Sequence, residues 1–367
     1  MKQRFKKHVA LTLISLMLLS LIGCGKPAST ETTETAVTEA PASISDAATT
    51  ADSTPADASE EGSDAQTVYP VTVTDQAGRE VTIEKEPESI VSGYYISTSL
   101  LLALGLKDKV TGIEAKADKR SIYKLAAPEF LELPNVGTAK EFDLETCASL
   151  SPELVILPMK LKDAAQSLSE LDIPVLLVNP ESEDQLEQMI ELVSTATNTK
   201  GNADALLSYI DEKKEMLEKD LSGVDAKSVY LAGNSSLLST AGPAMYQSGL
   251  IELAGGKNAA SEITDTYWAE ISYEQLLAWD PSYIILASDA EYTPEDVLND
   301  ENLKECTAVK NGNVYAIPGD IEALDSPVPG GILASIWLAG ILHPDQVSAD
   351  MYTEEKAAFY ETFYGIK

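Results

Sequence analysis

Histidine is almost missing from the 367 residues: there are two, His8 and His343, and His343 precedes a proline at a predicted helix end. Ser-His-Asp and Cys-His nucleophilic machinery is therefore essentially excluded, as are zinc sites needing two or more histidines. No Gly-x-x-x-x-Gly-Lys loop and no Gly-x-Gly-x-x-Gly after a strand occurs, which removes the common phosphate-cradling and dinucleotide-binding turns. The stretch Gly233-Asn234-Ser235-Ser236 is not a nucleophile elbow. Only three cysteines are present, too few for a disulfide framework, and the surroundings of Cys147 and Cys306 read as packing. Positive charge is scarce: 26 basic residues stand against 59 acidic ones, a formal charge of -33. That balance argues against nucleic acid or anionic lipid as a direct partner of the folded part. Acids are so plentiful that counting them neither identifies nor refutes a paired-carboxylate glycosidase.

What is present begins with a targeting segment over residues 1–24. Lys2, Arg4, Lys6 and Lys7 form a basic head, and the apolar run 9–22 is too short for a good transmembrane span. Leu21-Ile22-Gly23-Cys24 resembles the bacterial lipoprotein signal, which implies diacylation of Cys24 as the mature N-terminus. Residues 25–66 are Ala, Ser, Thr, Glu and Asp with almost nothing to bury, so they are expected to form a disordered acidic tether. The expectation is a folded body held by a lipid anchor on the outer face of the cell membrane.

The folded chain opens with alternating apolar and polar residues over 71–83 around Asp75-Gln76-Ala77-Gly78, the pattern of a β-hairpin. After Pro87, strands at 90–91, 110–113, 154–157 and 175–178 alternate with helices at 97–104 and 144–150, which predicts parallel α/β packing. Residues 202–221 read as one long helix of roughly 30 Å. Asn202 is placed to cap it, Leu206, Ile210, Leu217 and Leu221 form its buried stripe, and Asp211, Glu215 and Lys219 face water. Strands then restart at 229–231, 283–286 and 314–317, and a closing helix is expected at 331–342. A repeat flanks the long helix. Glu145 is followed seven residues later by Pro152 and an apolar strand, and Glu274 is followed at the same spacing by Pro281 and another. Two similar lobes with residues 202–221 as their connection follow from that match. Aromatic and polar side chains gather at predicted strand ends and loops: Tyr94, Tyr95, Met159, Lys160, Tyr246, Tyr267, Trp268, Asp320, Asp325 and Ser326. A cleft so lined suits a ligand with flat apolar faces and a polar rim.

The combination of residues 71–83, Leu-Leu-Leu-Ala-Leu-Gly at 100–105, Val136-Gly137 and Ile-Glu-Leu-Ala-Gly-Gly-Lys-Asn at 251–258 resembles the helical-hinge substrate-binding proteins of ABC importers, which serve ferric siderophores, haem and cobalamin. The likeness runs from about Val71 to Pro344. It implies an α/β fold of two Rossmann-like lobes with parallel central sheets joined by one long interlobe helix. The expected division is a lobe at 67–199, the helix at 200–222 and a second lobe at 223–367. The resemblance gives Glu145 and Glu274 the role of docking acids for arginines of a permease dimer that works with an ATPase. It places Lys116, Asp320 and Trp268 at pocket positions, with Lys140 and Lys160 as further sources of positive charge. Tyr94, Tyr95, Tyr246 and Tyr267 are candidates for ferric iron. The chain departs from the siderophore pattern in having no arginine near these loops, Arg120 lying only near Lys116. That speaks against strongly anionic siderophores.

These observations lead to the expectation of a monomeric, non-enzymatic receptor for an iron complex or cobalamin. Any Fe or Co belongs to the ligand, and the protein has no cofactor and no metal site of its own. Oxyanions such as molybdate, which some relatives bind, stay in view. The alternatives are a surface-exposed glycan-active hydrolase and a non-transport interaction lipoprotein.

Overall fold

The computed structural model describes residues 66–367, so Cys24 and the leader and nearly all of the tether expected before Gln66 lie outside the described residues. The expected N-terminal hairpin pairs β1 (Val71–Thr74) with β2 (Glu80–Ile83), Val71 opposite Ile83 and Thr74 opposite Glu80. Its turn is held by Asp75, which accepts from the amides of Ala77 and Arg79 and pairs with the Arg79 guanidinium at 2.7 Å. The same buried carboxylate accepts from Leu177 N at 3.0 Å, fastening the hairpin to the first lobe.

That lobe runs β3 (Ile90–Ser92), α1 (Tyr95–Ala103), β4 (Val110–Gly112), α2 (Ser121–Ala126), α3 (Leu144–Ser149), β5 (Leu154–Pro158), α4 (Lys162–Ser169), β6 (Val175–Val178) and α5 (Glu183–Thr197). The spine α6 (Lys200–Asp220) follows. The second lobe contains β7 (Lys227–Ala232), β8 (Ser239–Ala241), α7 (Tyr246–Leu253), β9 (Gly256–Asn258), β10 (Trp268–Glu270), α8 (Tyr273–Trp279), β11 (Tyr283–Leu286), α9 (Pro294–Leu298), α10 (Thr307–Asn311), β12 (Val314–Ala316), α11 (Ile332–Leu342) and α12 (Ala349–Tyr364). Each lobe has a four-stranded, wholly parallel sheet, in the orders β4-β3-β5-β6 and β12-β11-β7-β9. Crossover helices cover both faces of such sheets, so the strands read as continuous apolar runs such as Leu-Val-Ile-Leu.

The repeat seen in the sequence is a matched unit in space. Asp143 caps α3 by accepting from Thr146 N, and Ser272 caps α8 by accepting from Gln275 N. Both helices end near a residue of positive φ, Ser151 at 49° and Asp280 at 42°, immediately before the proline that leads into β5 or β11. Proline cannot extend a helix and pushes the preceding residue out of the right-handed helical region, so each unit turns sharply into its strand.

Helix α6 buries Ala203, Leu206, Ile210, Lys213 and Leu217 along one stripe, while Asp211, Glu215 and Lys219 are exposed. It starts two residues earlier than expected, and Asn202 does not cap it. Asn202 instead donates from Nδ2 to Leu104 O at 2.7 Å, closing the C-terminal end of α1. Lys213 is the unexpected member of the stripe; its ammonium lies 2.9 Å from both Glu212 and Glu355.

Helix α11 does not close the chain as expected; α12 does. It packs on α11, sets Phe359 and Phe363 against Tyr209 of α6, and sends the Tyr364 hydroxyl to Ser99 of α1 at 2.9 Å. One apolar core therefore includes Leu100 of the first lobe, Leu206 and Ile210 of α6, Ile336 of α11 and Phe359. Two smaller cores fill the outer layers of the lobes and bury Cys147 and Cys306 as free thiols.

Candidate functional site

The carboxyl ends of the parallel strands in both sheets open on one interlobe cleft. Its walls come from α1 after β3 (Tyr95, Ser99), the turn into α2 after β4 (Lys119 to Tyr123), the loop after β11 (Asp289) and the segment after β12 (Gly319, Ile321, Glu322 and Ala323, with Val328). Loops at those strand ends are where open α/β sheets bind ligands. The cleft is narrow, with ≈ 40 Å³ free for the centres of water-sized molecules.

Arg120 is the main basic group of this wall. Its guanidinium lies over the Tyr95 ring, 4.0 Å from the centroid, and forms no ion pair within 4.0 Å among the described residues. Stacking on an aromatic face holds the planar cation in place without neutralising it. Tyr95 in turn donates its hydroxyl to Ser326 Oγ at 2.9 Å, a bond from one lobe to the other. Burial raises the Tyr95 phenol above its ordinary value, so it stays a neutral donor. A second cross-lobe bond runs from Tyr246 N to Glu181 O at 2.8 Å.

The floor of the cleft is Glu322. Its carboxylate is buried, accepts from the Ser99 hydroxyl of α1 and from Tyr360 at 3.2 Å, and is pushed up to about 7 by burial against the opposing pull of those hydroxyls. Behind the first-lobe wall, buried Glu114 accepts from Tyr123 at 2.6 Å and Thr98 at 2.7 Å, and burial raises its carboxyl too.

The candidates from sequence separate into groups. Tyr95 and Ser326 meet across the cleft, and Tyr94 packs edge-on to Tyr95 with centroids 5.4 Å apart. Asp325 is buried and accepts from Ser288 Oγ and, at 3.3 Å, Ser288 N, so it fixes the loop that carries Ser326. Tyr246 is buried with its hydroxyl packed against Gly331, inside the interlobe core rather than on the cleft wall. Tyr267 and Trp268 are exposed on the second lobe, where Trp268 pairs through β10 with Ala241 and lays its ring against Gly233. Asp320 is tied to Lys356 at 2.5 Å outside the cleft lining. Lys116, Lys140 and Lys160 are exposed, Met159 is half-buried, and none of the four lines the space beside Arg120. Glu145 and Glu274 are exposed and occupy the same second position of α3 and α8.

Sequence reasoning missed Ser99, Lys119, Arg120, Asp289 and Glu322. Arg120 and Asp289 each follow a predicted strand, at 110–113 and 283–286, the signal that marks a cleft loop. The expectation of a cleft without arginine is thus corrected: the turn after β4 brings Arg120 back over Tyr95.

The profile of the periplasmic binding protein family matches residues 90–321, well over half of the chain. The chain belongs to that family. It is 28% identical over 273 residues to the uncharacterized ABC transporter substrate-binding lipoprotein YvrC of Bacillus subtilis, covering 71% of this chain and 82% of that one. It is 24% identical over 319 residues to the molybdate-binding protein MolA of Haemophilus influenzae, covering 80% and 90%. The crystal structure of a periplasmic solute binding protein from Veillonella parvula superposes with a TM-score of 0.71 at 26% identity, covering 81% of this chain and 93% of the other. The periplasmic binding protein is therefore a two-lobed substrate-binding protein of ABC transporters, a family of solute binders rather than enzymes. No helix among its described residues is long and apolar enough to cross a membrane.

Proposed function

We propose that this protein captures a metal-bearing solute that presents an acidic group, between its lobes, and delivers it to the permease dimer of an ABC importer. The observation that carries this reading is Arg120, held over Tyr95 in the interlobe cleft with no acidic group within 4.0 Å among the described residues. A charge-assisted bond from such a guanidinium to a carboxylate, phosphate or oxyanion is among the stronger contacts a protein makes. The iron complexes and cobalamin expected from sequence stay in the reading, and Arg120 offers a contact for an acidic group on either. Tyr94 packs edge-on to the cleft residue Tyr95, and Tyr267 and Trp268 offer exposed flat faces on the second lobe. A ligand of that size requires the lobes to part and the Tyr95 to Ser326 bond to break.

A second reading, a compact oxyanion, is favoured by the narrowness of the cleft and by the molybdate-binding relative. Both are tested by titrating the protein with ferric citrate, haem, cobalamin and molybdate, following tryptophan fluorescence and heat, beside Arg120→Gln and Trp268→Phe. The reading expects micromolar or tighter binding of at least one of them, weakened about tenfold by Arg120→Gln. Binding that ignores Arg120 refutes it.

Delivery is assigned to Glu145 and Glu274. Two exposed carboxylates at matched positions of a rigid body suit orientation on a two-fold partner, where charge pairing sets register and on-rate more than affinity. A lipid anchor at Cys24 with the tether of residues 25–66 completes the proposal, and metabolic labelling with a fatty acid in wild type and Cys24→Ala tests it.

A further inference from the structure

The two walls of the cleft carry opposite charge. The first lobe lines it with Arg120, with Lys119, whose ammonium lies 3.4 Å from Asp118, and with the hydroxyls of Ser99 and Ser121; the second lines it with exposed Asp289 and buried Glu322 and no base. Arg120 and Asp289 line the same space, yet neither takes part in an ion pair within 4.0 Å, and Asp289 forms no side-chain hydrogen bond among the described residues. Two opposite charges on facing walls that do not pair leave both free for something placed between them. A purely anionic solute would satisfy Arg120 and be repelled by Asp289.

We infer that the solute is dipolar: it presents an acidic group to Arg120 on the first lobe and a cationic or hydrogen-bond-donating group to Asp289 on the second. This rests on the reading of the cleft as the solute site and narrows its substrate class. A ligand recognised in this way satisfies one charge on each lobe, so its full affinity is available only when both lobes contact it. Like-charge juxtaposition at Asp289 also rejects plain anions, a discrimination that attraction to Arg120 alone cannot supply.

The probes are cobalamin, which carries a phosphodiester anion together with several primary-amide donors, and molybdate and ferric citrate, which offer only acceptor oxygens. Isothermal titration of wild type, Arg120→Gln and Asp289→Asn with all three is the test. The expected result is that Arg120→Gln weakens every probe that binds. Asp289→Asn should weaken cobalamin about tenfold, the size of one charge-assisted bond, while tightening molybdate or ferric citrate. The inference is overturned if wild type prefers molybdate or ferric citrate to cobalamin, or if Asp289→Asn leaves cobalamin binding unchanged or improves it; in both cases sensitivity to Arg120 keeps the cleft as the site. If no probe binds, or binding ignores Arg120, the reading of the cleft fails and the inference fails with it.

Discussion

Replacing Glu322 by Gln should change how stability depends on pH, by an amount the structure fixes. The carboxylate is buried between Ser99 of α1 and Tyr360 of α12, beside the backbone of Gly330, and among the described residues no cation lies within 4.0 Å of it, Arg120 acting on it only from farther off. Burial lifts its titration from an ordinary 4.5 to about 7. Between those values the folded chain holds a proton that the unfolded chain has released. Stability from this group is therefore fully present below about 4.5 and is lost as pH rises through about 7, the gap corresponding to about 3 kcal/mol. Gln keeps an acceptor for the surrounding hydroxyls and never ionises, so the variant should lack this slope. Thermal unfolding of both proteins between pH 4.5 and 8.5 is the assay. Other buried acids, including Glu114 and Asp325, are common to both proteins and cancel in the difference. The Gln protein should gain on wild type as pH rises, reaching an advantage of roughly 5 °C or more near pH 8. Parallel Tm profiles, or an advantage that shrinks with rising pH, would refute the account of Glu322 as a neutral acid at the lobe junction.

Three further outcomes follow from the same geometry. Reversing both acids proposed for docking, Glu145→Lys with Glu274→Lys, should abolish uptake while leaving solute affinity intact, because both lie on exposed helix starts away from the cleft lining; unchanged uptake would remove the proposed docking role. The Cys147 thiol, pushed up to about 12 by burial, and the buried Cys306 thiol should resist a thiol reagent in the native body and react once guanidinium unfolds it; rapid native reaction would contradict the packing described. Solute binding should produce only a modest lobe rotation, since α6 is continuous and the apolar core crosses it from α1 to α12; a large change in small-angle scattering would contradict a stiff spine.

Much of the scaffold was legible in the chain because it is written in local patterns. Alternation and the Asp-Gln-Ala-Gly turn specify the hairpin, apolar runs specify the parallel strands, and the stripe Leu206, Ile210, Leu217 specifies α6. The equal spacing from Glu145 to Pro152 and from Glu274 to Pro281 disclosed two related lobes, since a helix start, a forced turn and a strand are all short-range events. Short strands such as β8 and β10 were not legible. Ser-Thr-Ala and Trp-Ala-Glu carry no strand pattern and pair only because the fold sets them side by side.

The tertiary structure decided the composition of the cleft. Residue type and proximity along the chain pointed to Lys116, Lys140 and Lys160, but their side chains end in solvent, while Arg120 turns back onto Tyr95. Asp320 looked like a pocket acid and is held by Lys356, whereas Glu322, two residues on, turns inward to Ser99. Asn202 looked like a cap for its own helix and serves the end of α1, 98 residues earlier. Helical and strand periodicity are set by the backbone within a few residues, so sequence alone determined the lobes and their spine. Which charges face one another depends on contacts between segments hundreds of residues apart, such as Tyr95 with Ser326, and only the folded chain brings those together.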